Sequence, residues 1–164
     1  MISNPLFNFQ KKFLGVKNDD VFIRLDDWIE STSQHGADMI LQMDIEGAEW
    51  AVLGSTPPKI LKKFRIIVLE VHNMDGLFDP IIFHQINNTF DLLLQDFQIV
   101  HIHPNNSIRP LSLNGFNVPP VMEFTFLKRD RISKPTFAKR FPHVLDSPNL
   151  KEMADYPLPS CWHK

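Results

Sequence analysis

Cysteine is almost absent from this chain, which has one, Cys161, in 164 residues. One cysteine cannot form a disulfide within the chain, and its rarity is typical of proteins in a reducing compartment. We therefore expect a cytoplasmic location. We also expect no signal peptide, because residues 1–16 lack a long apolar core and are interrupted by Lys11 and Lys12.

The chain has no excess of one charge and no long hydrophobic run. It carries 17 Lys and Arg residues against 19 Asp and Glu residues, a formal net charge of -2 at pH 7. Nucleic-acid-binding surfaces are usually basic, so we expect no nucleic-acid partner. The longest apolar runs have the length of a strand, so we expect no membrane span.

The composition is that of a globular domain, with 43% hydrophobic and 22% charged residues. The length suits one domain. Eight of the 13 prolines lie in the last third of the chain, where they favour extended loops. We therefore expect a domain over residues 20–130 and a proline-rich carboxyl-terminal tail over residues 131–164.

Strand-like and helix-like segments alternate along the domain. Apolar runs predict strands over residues 21–24, 39–43, 65–71, 98–103 and 121–128, the second of them covered on both faces. One helix is predicted to begin at Asp26 or Asp27 and to end at Gly36, and a second to begin at Gly47 and to end at Gly54. Two more helix starts are predicted, at Thr56-Pro57 and at Asp79-Pro80. This order predicts an α/β fold with a parallel sheet, completed by a terminal antiparallel pair.

Two acidic residues and a glycine follow the second predicted strand, at Asp44, Glu46 and Gly47. Ligands bind at the carboxyl ends of strands in open α/β sheets. A carboxylate there could hold an ammonium group, orient a hydroxyl or act as a base, and Gly47 would allow close backbone approach. The structural alternative is that Asp44 caps the next helix, while Glu46 and Glu49 complement its dipole.

His72 ends the third predicted strand. In a parallel sheet it would lie at the same edge as Asp44, on the neighbouring strand. A histidine there could remove a proton from an acceptor hydroxyl or amide. The alternative is a strand-end histidine that hydrogen-bonds the following loop.

His101 and His103 flank Ile102 on the fourth predicted strand, so both side chains should point to one face. Such a pair could bind a metal, or His101 could be packed while His103 caps the strand. The next residues, Asn105 and Asn106, are typical turn residues.

A metal-dependent hydrolase is one hypothesis for these groups, with Asp44, Glu46, His72 and His103 as ligands. No pair of them has a diagnostic spacing, so we expect no metal. A further carboxylate, Glu123, interrupts the apolar alternation of the last strand. A buried carboxylate needs a partner, and we expect Lys or Arg from a neighbouring strand.

Four segments together resemble the carboxyl-terminal half of the FkbM methyltransferase domain. They are ILQMDIEGAEWAVL at residues 40–53, IIVLEVH at 66–72, HIHPNN at 101–106 and VMEFTFL at 121–127. They occur in the family's order, and the resemblance covers about residues 20–130. FPHVLDSPN at residues 141–149 also resembles a tail found in some members.

The resemblance implies a Rossmann-like class I methyltransferase sheet and methyl transfer from S-adenosylmethionine, most often to an oxygen of a sugar or small-molecule acceptor. Asp44 would end the fourth strand beside the methyl donor, together with Glu46 and Gly47. His72 would end the fifth strand, close to the acceptor, so Asp44 and His72 are the expected catalytic residues. The expected acceptor-binding residues are His103, Asn105 and Asn106.

The resemblance is incomplete. The family's first half carries a glycine-rich loop after the first strand and an acidic residue that ends the second, and these hold the donor's carboxylate end and its ribose. No G-x-G precedes Asp44, and residues 1–38 are too few for three strands and two helices. We therefore expect an apparently truncated sheet of strands four to seven, with the strand at residues 39–43 as an exposed edge.

An exposed edge has two consequences. It predicts a homodimer or a second chain that covers the edge, and weak or absent binding of S-adenosylmethionine by the isolated chain. It also supports an alternative function, a non-catalytic half-domain that binds another protein by strand addition.

Overall fold

The computed structural model describes residues 7–32, 38–158 and 160–162, without the side chain of Cys161. Its strands are β1 Phe13–Leu14, β2 Phe22–Ile23, β3 Met39–Met43, β4 Phe64–Val71, β5 Phe97–Pro104, β6 Leu111–Leu113, β7 Phe116–Val118 and β8 Met122–Lys128. Its α-helices are α1 Leu25–Ser31, α2 Glu49–Ser55, α3 Pro58–Leu61 and α4 Pro80–Asp96. Short 3-10 helices cover Met74–Phe78, Arg129–Arg131 and Ser160–Trp162. The fold is mixed α/β, as the alternation of segments predicts.

The central sheet has four strands in the order β3-β4-β8-β5. β3 and β4 are parallel, and β8 runs antiparallel to both β4 and β5. Therefore β3, β4 and β5 all end at the edge of the sheet where β8 begins. The predicted antiparallel pair of β5 and β8 is present, but β8 lies inside the sheet and β5 is the outer strand. The hairpin of β6 and β7 occupies the loop between them, where we predicted no strand.

Helices cover one face of this sheet. α4 begins as predicted, because Asp79 Oδ1 accepts hydrogen bonds from the backbone N–H groups of Ile81 and Ile82, at 2.8 and 3.1 Å. Its apolar side places Phe90 against Phe124 of β8, with ring centroids 5.3 Å apart. The helices and the sheet thus share one aromatic core, on the face that carries the alternate apolar residues of β8.

β3 is buried on one face only, and our prediction of burial on both faces is wrong. Leu41 and Met43 point to the helices and are 4% and 2% exposed, whereas Ile40 on the opposite face is 57% exposed. Val68 of β4, which pairs with Gln42, is 36% exposed. Within the described residues β3 pairs only with β4, so it is an edge strand, as expected. That a homodimer or a second chain covers this edge stays a prediction.

Three helix boundaries differ from the predicted ones, and at two of them a local side-chain contact replaces the expected cap. α1 begins at Leu25, and Asp26 binds the Arg24 guanidinium at 2.9 Å instead of capping the helix. Thr56 donates its hydroxyl to the Val52 carbonyl at 2.7 Å, so it closes α2 while α3 starts at Pro58. α2 itself runs past Gly54, and Gly36 lies outside the described residues.

The tail packs on the second face of the sheet, over β5 and β8. Asn149 Nδ2 donates to Glu123 Oε1 at 3.1 Å, and Asn106 Nδ2 donates to the carbonyls of Leu150 and Met153 at 3.0 and 2.9 Å. This covers the part of that face that lies farthest from the β3 edge. No helix in the described ranges is both long enough and apolar enough to cross a membrane.

Candidate functional site

The turn after β3 has an unusual backbone. Glu46 has a φ of 57° and Gly47 a φ of 103°, both in the left-handed region. A Cβ at Gly47 would lie 2.9 Å from Asn73 Nδ2, in the loop after β4. Glycine is therefore needed here for its φ and for the close approach of the two strand-end loops.

Glu49 fixes this turn from inside the protein. It is the first residue of α2 and is 0% exposed. Its carboxylate accepts the backbone N–H of Ile45 at 2.9 Å and that of Gly47 at 3.2 and 3.1 Å from its two oxygens. A carboxylate also suits the positive end of the helix dipole. The structural alternative for Asp44 is wrong, because the N-cap position is Ala48 and no side chain caps it.

His72 extends this arrangement to the end of β4. Its Nδ1 lies 3.2 Å from Glu49 Oε1, and its Nε2 lies 3.5 Å from Glu46 Oε2. Its own carbonyl accepts a hydrogen bond from Trp50 Nε1 at 2.7 Å. The side-chain contacts of His72 therefore run back to the turn after β3 rather than to its own following loop.

We call Asp44, Glu46, Glu49 and His72 the open cluster. The ligating atoms of Asp44, Glu49 and His72 all lie within 4.8 Å of one another. Asp44 is exposed, and the Glu46 side chain is 85% exposed, so a ligand can approach the cluster from solvent. The structure thus brings the predicted pair Asp44 and His72 together.

Glu49 belongs to this site but was absent from the predicted site residues. Its position at the start of a helix predicts that its negative charge stabilises the positive end of the helix dipole. Only the fold shows that its carboxylate turns back and meets His72, which is 23 residues away along the chain.

The four-residue metal set is not assembled as hypothesised. Asp44, Glu49 and His72 have the spacing of a possible cation site among the described residues, whereas His103 contacts other carboxylates. Glu49 also already accepts two backbone N–H groups, with which a metal ion would have to compete.

A second group lies beneath the tail, and we call it the closed cluster: His101, His103, Glu123, Asp146 and Asp155. His103 is 3% exposed, with Nδ1 3.6 Å from Glu123 Oε2 and Nε2 3.6 Å from Asp155 Oδ2. His101 Nε2 lies 3.1 Å from Asp146 Oδ1. Our prediction of a Lys or Arg partner for Glu123 is wrong, because its partners are His103 and Asn149.

The electrostatics of the closed cluster follow from this pairing. Interaction with the Glu123 carboxylate raises the pKa of His103, against the opposing effect of burial, and Asp146 and Asp155 add to the rise. The same interaction with His103 lowers the pKa of Glu123. Both groups therefore favour their charged forms, because their mutual attraction outweighs the opposing effect of burial.

The three residues expected to bind the acceptor lie at or under the tail. Asn106 is 0% exposed, and its amide bonds the tail backbone. Asn105 Nδ2 donates to Glu70 Oε1 at 2.8 Å, and its Oδ1 accepts the N–H of Ser107. Their acceptor-binding role, with that of His103, stays a prediction, but each has a structural contact that accounts for its position.

A polar, solvent-accessible cluster at the carboxyl edge of two parallel strands is the usual location of a ligand site in an α/β sheet. Residues 19–99 match the family model described as the Methyltransferase FkbM domain, which is just under half of the chain and includes the whole open cluster. No curated protein and no solved structure matches the chain. The family match suggests methyltransferase activity.

Proposed function

We propose that the chain is an FkbM-type methyltransferase that transfers a methyl group from S-adenosylmethionine to an oxygen of a sugar or small molecule. The observation that carries this proposal is the juxtaposition of Asp44 and His72. They follow neighbouring parallel strands and, with Glu49, have polar atoms within 4.8 Å of one another. Both lie inside the segment that matches the methyltransferase model.

The sheet supports a finer assignment. In chain order, β3, β4, β5 and β8 would be strands four to seven of a Rossmann-like class I sheet, with Asp44 ending the fourth and His72 the fifth. β1 and β2 form a separate two-stranded sheet, so they do not extend the central sheet beyond β3. The free edge of β3 is where the first strand of such a sheet would pair.

The open cluster fits one end of the methyl donor. S-adenosylmethionine supplies a methyl group on a positively charged sulfur and also carries an ammonium group. The exposed carboxylates of Asp44 and Glu46 would attract these positive groups. The left-handed turn at Gly47 leaves the backbone there without a Cβ. No G-x-G precedes Asp44 to hold the donor's carboxylate end, so we expect weak binding.

His72 would act on the acceptor. Its Nε2 lies on the side of the ring that faces the exposed Glu46, where an acceptor hydroxyl can approach. There it would take the hydroxyl proton while Asp44 and Glu46 orient the reacting groups, so catalysis would rest on positioning and proton removal.

A thermal-shift titration with S-adenosylhomocysteine tests the proposal, using the native chain, Asp44→Asn, and Asp20→Asn as an exposed aspartate control. A ligand that binds only the folded state must raise its melting temperature. We expect a saturable rise at millimolar ligand in the native chain and the control, and none in Asp44→Asn. No rise in a well-folded native chain, or an equal rise in Asp44→Asn, would overturn the proposal.

A further inference from the structure

We infer that Glu49 is a positioning residue for His72. It holds the imidazole with a proton on Nδ1, so that the lone pair of Nε2 faces the open side of the cluster. The catalytic meaning of this inference rests on the proposed function, because it assigns the proton acceptor of that site. The orientation and the protonated nitrogen themselves can be measured without any ligand.

The first step is that the Glu49 carboxylate cannot move freely. It is 0% exposed and is held by the backbone N–H groups of Ile45 and Gly47, at distances between 2.9 and 3.2 Å. Those two groups belong to the left-handed turn, which is itself packed against Asn73. A buried carboxylate with fixed donors is a rigid reference for whatever it contacts.

The second step concerns which ring nitrogen carries the proton. Nδ1 lies 3.2 Å from Glu49 Oε1, so a proton on Nδ1 gives a hydrogen bond to a buried acceptor. If the proton were on Nε2, the lone pair of Nδ1 would face the negatively charged Glu49 carboxylate. Because Glu49 is 0% exposed, no water could take the place of the lost hydrogen bond. Glu46, the partner on the Nε2 side, is 85% exposed and can be solvated in either case. The Nδ1–H form is therefore favoured.

The third step concerns the charge after proton transfer. The acidic groups that face the ring are Glu49 at Nδ1, Glu46 at Nε2 and, within the same cluster, Asp44. The fixed Glu49 carboxylate accepts a hydrogen bond from the Nδ1–H group of the imidazolium, whereas the Glu46 side chain is exposed to solvent. A base that is oriented by a buried carboxylate is the arrangement in which a histidine takes a proton from a hydroxyl group.

A purely structural role for Glu49 makes a different prediction. If the carboxylate served only the turn, its loss would lower stability without changing the ring of His72. The two roles are therefore separated by the tautomer of His72 rather than by unfolding alone.

The test is long-range 1H–15N NMR of the full chain labelled with 15N-histidine, with the His72 signals assigned from His72→Gln. We expect neutral His72 in the native chain to carry its proton on Nδ1. We expect Glu49→Gln to lower the fraction of neutral His72 that carries its proton on Nδ1, because the amide no longer presents a carboxylate to that nitrogen. The exposed Glu152→Gln serves as a matched control and should leave the tautomer unchanged.

A proton on Nε2 in the native chain would overturn the inference, and this result needs no Glu49 variant to fold. An unchanged tautomer in folded Glu49→Gln would overturn it as well. These readouts are independent of the S-adenosylhomocysteine titration. A chain with the Nδ1–H form and no ligand response would contradict the proposed function alone, whereas a ligand response with the Nε2–H form would contradict this inference alone.

Discussion

Two histidine and carboxylate clusters lie at the same edge of the central sheet and differ in what covers them. The open cluster is built around His72, after β4, and the closed cluster around His103, at the end of β5. In the open cluster the Glu46 side chain is 85% exposed, whereas His103 in the closed cluster is 3% exposed.

The difference comes from the tail. Residues around Asn149 and Asp155 reach over β5 and β8, where they supply partners for Glu123 and His103. In the open cluster, by contrast, Asp44 and the Glu46 side chain are exposed to solvent. Similar side chains therefore serve different purposes: the open cluster keeps carboxylates available to a ligand, and the closed cluster joins the tail to the sheet.

The largest effect should come from removing the contact that joins the tail to the sheet. Asn106→Ala removes three hydrogen bonds between a fully buried amide and the backbone of Leu150 and Met153. We expect a loss of about 2–4 kcal/mol in the free energy of unfolding, because the tail groups lose buried partners. Urea unfolding measures this, and limited proteolysis should cut the tail first.

Asn87→Ala is the control, because Asn87 is exposed and donates one hydrogen bond to Asp91. The comparison of the two clusters would fail if Asn106→Ala were as stable as this control. It would also fail if loss of the tail abolished the response of the open cluster to S-adenosylhomocysteine in a chain that remains folded.

The next effect concerns the turn that supports the open cluster. Gly47→Ala places a Cβ 2.9 Å from Asn73 Nδ2 in a backbone with a φ of 103°. We expect a loss of about 1–3 kcal/mol, because both the conformation and the contact are unfavourable. Adding Asn73→Gly should recover the share of this loss that comes from the close contact, but not the share that comes from the strained backbone. Thermal unfolding of the native chain, the two single variants and the double variant measures both shares.

Gly54→Ala is the matched control. Gly54 lies within α2 with Thr89 Oγ1 3.5 Å from the new Cβ, which is ordinary contact. Alanine is a better helix former than glycine, so this variant should be as stable as the native chain or more so. Equal losses at the two glycines would contradict a special role for the turn.

The third effect is the pH dependence of the closed cluster. The pKa of His103 is raised above 6.5, so the stabilisation from its pairing with Glu123 is fully present below about pH 6.5 and is lost as pH rises through the raised pKa. The pKa of Glu123 is lowered below 4.5, so its stabilisation is present above about pH 4.5 and is lost as pH falls through the lowered pKa.

Urea unfolding across this range measures the effect. We expect the tail contact to be most stable between about pH 4.5 and pH 6.5. His103→Gln should remove the decline in stability above pH 6.5. His84→Gln, which changes an exposed histidine of α4, should leave that decline in place. An unaltered decline in His103→Gln would mean that another group controls it.

The smallest stability effect should be at the open cluster itself. Asp44 is exposed, so we expect Asp44→Asn to change the free energy of unfolding by less than about 0.5 kcal/mol while it removes ligand binding. Chemical denaturation of the variant measures this. A large loss of stability would make Asp44 a structural residue and would remove the contrast between the two clusters.

The sequence by itself determined the elements with strong local signals. The apolar runs predicted β3 and β4, and the Asp79-Pro80 pair predicted the start of α4, because apolar runs and capping are properties of neighbouring residues. The apolar alternation of residues 121–128 also predicted β8, which spans Met122–Lys128. The sequence also predicted that Asp44 and His72 lie at the same edge of the sheet, because parallel strands end at the same edge.

Only the tertiary structure decided which distant side chains meet. It turned Glu49 toward His72, gave Glu123 a histidine and an asparagine in place of a Lys or Arg, and placed β8 between β4 and β5. It also folded the tail over one cluster and left the other exposed. Such contacts depend on the relative position of segments far apart in the chain, and local preferences carry no information about them.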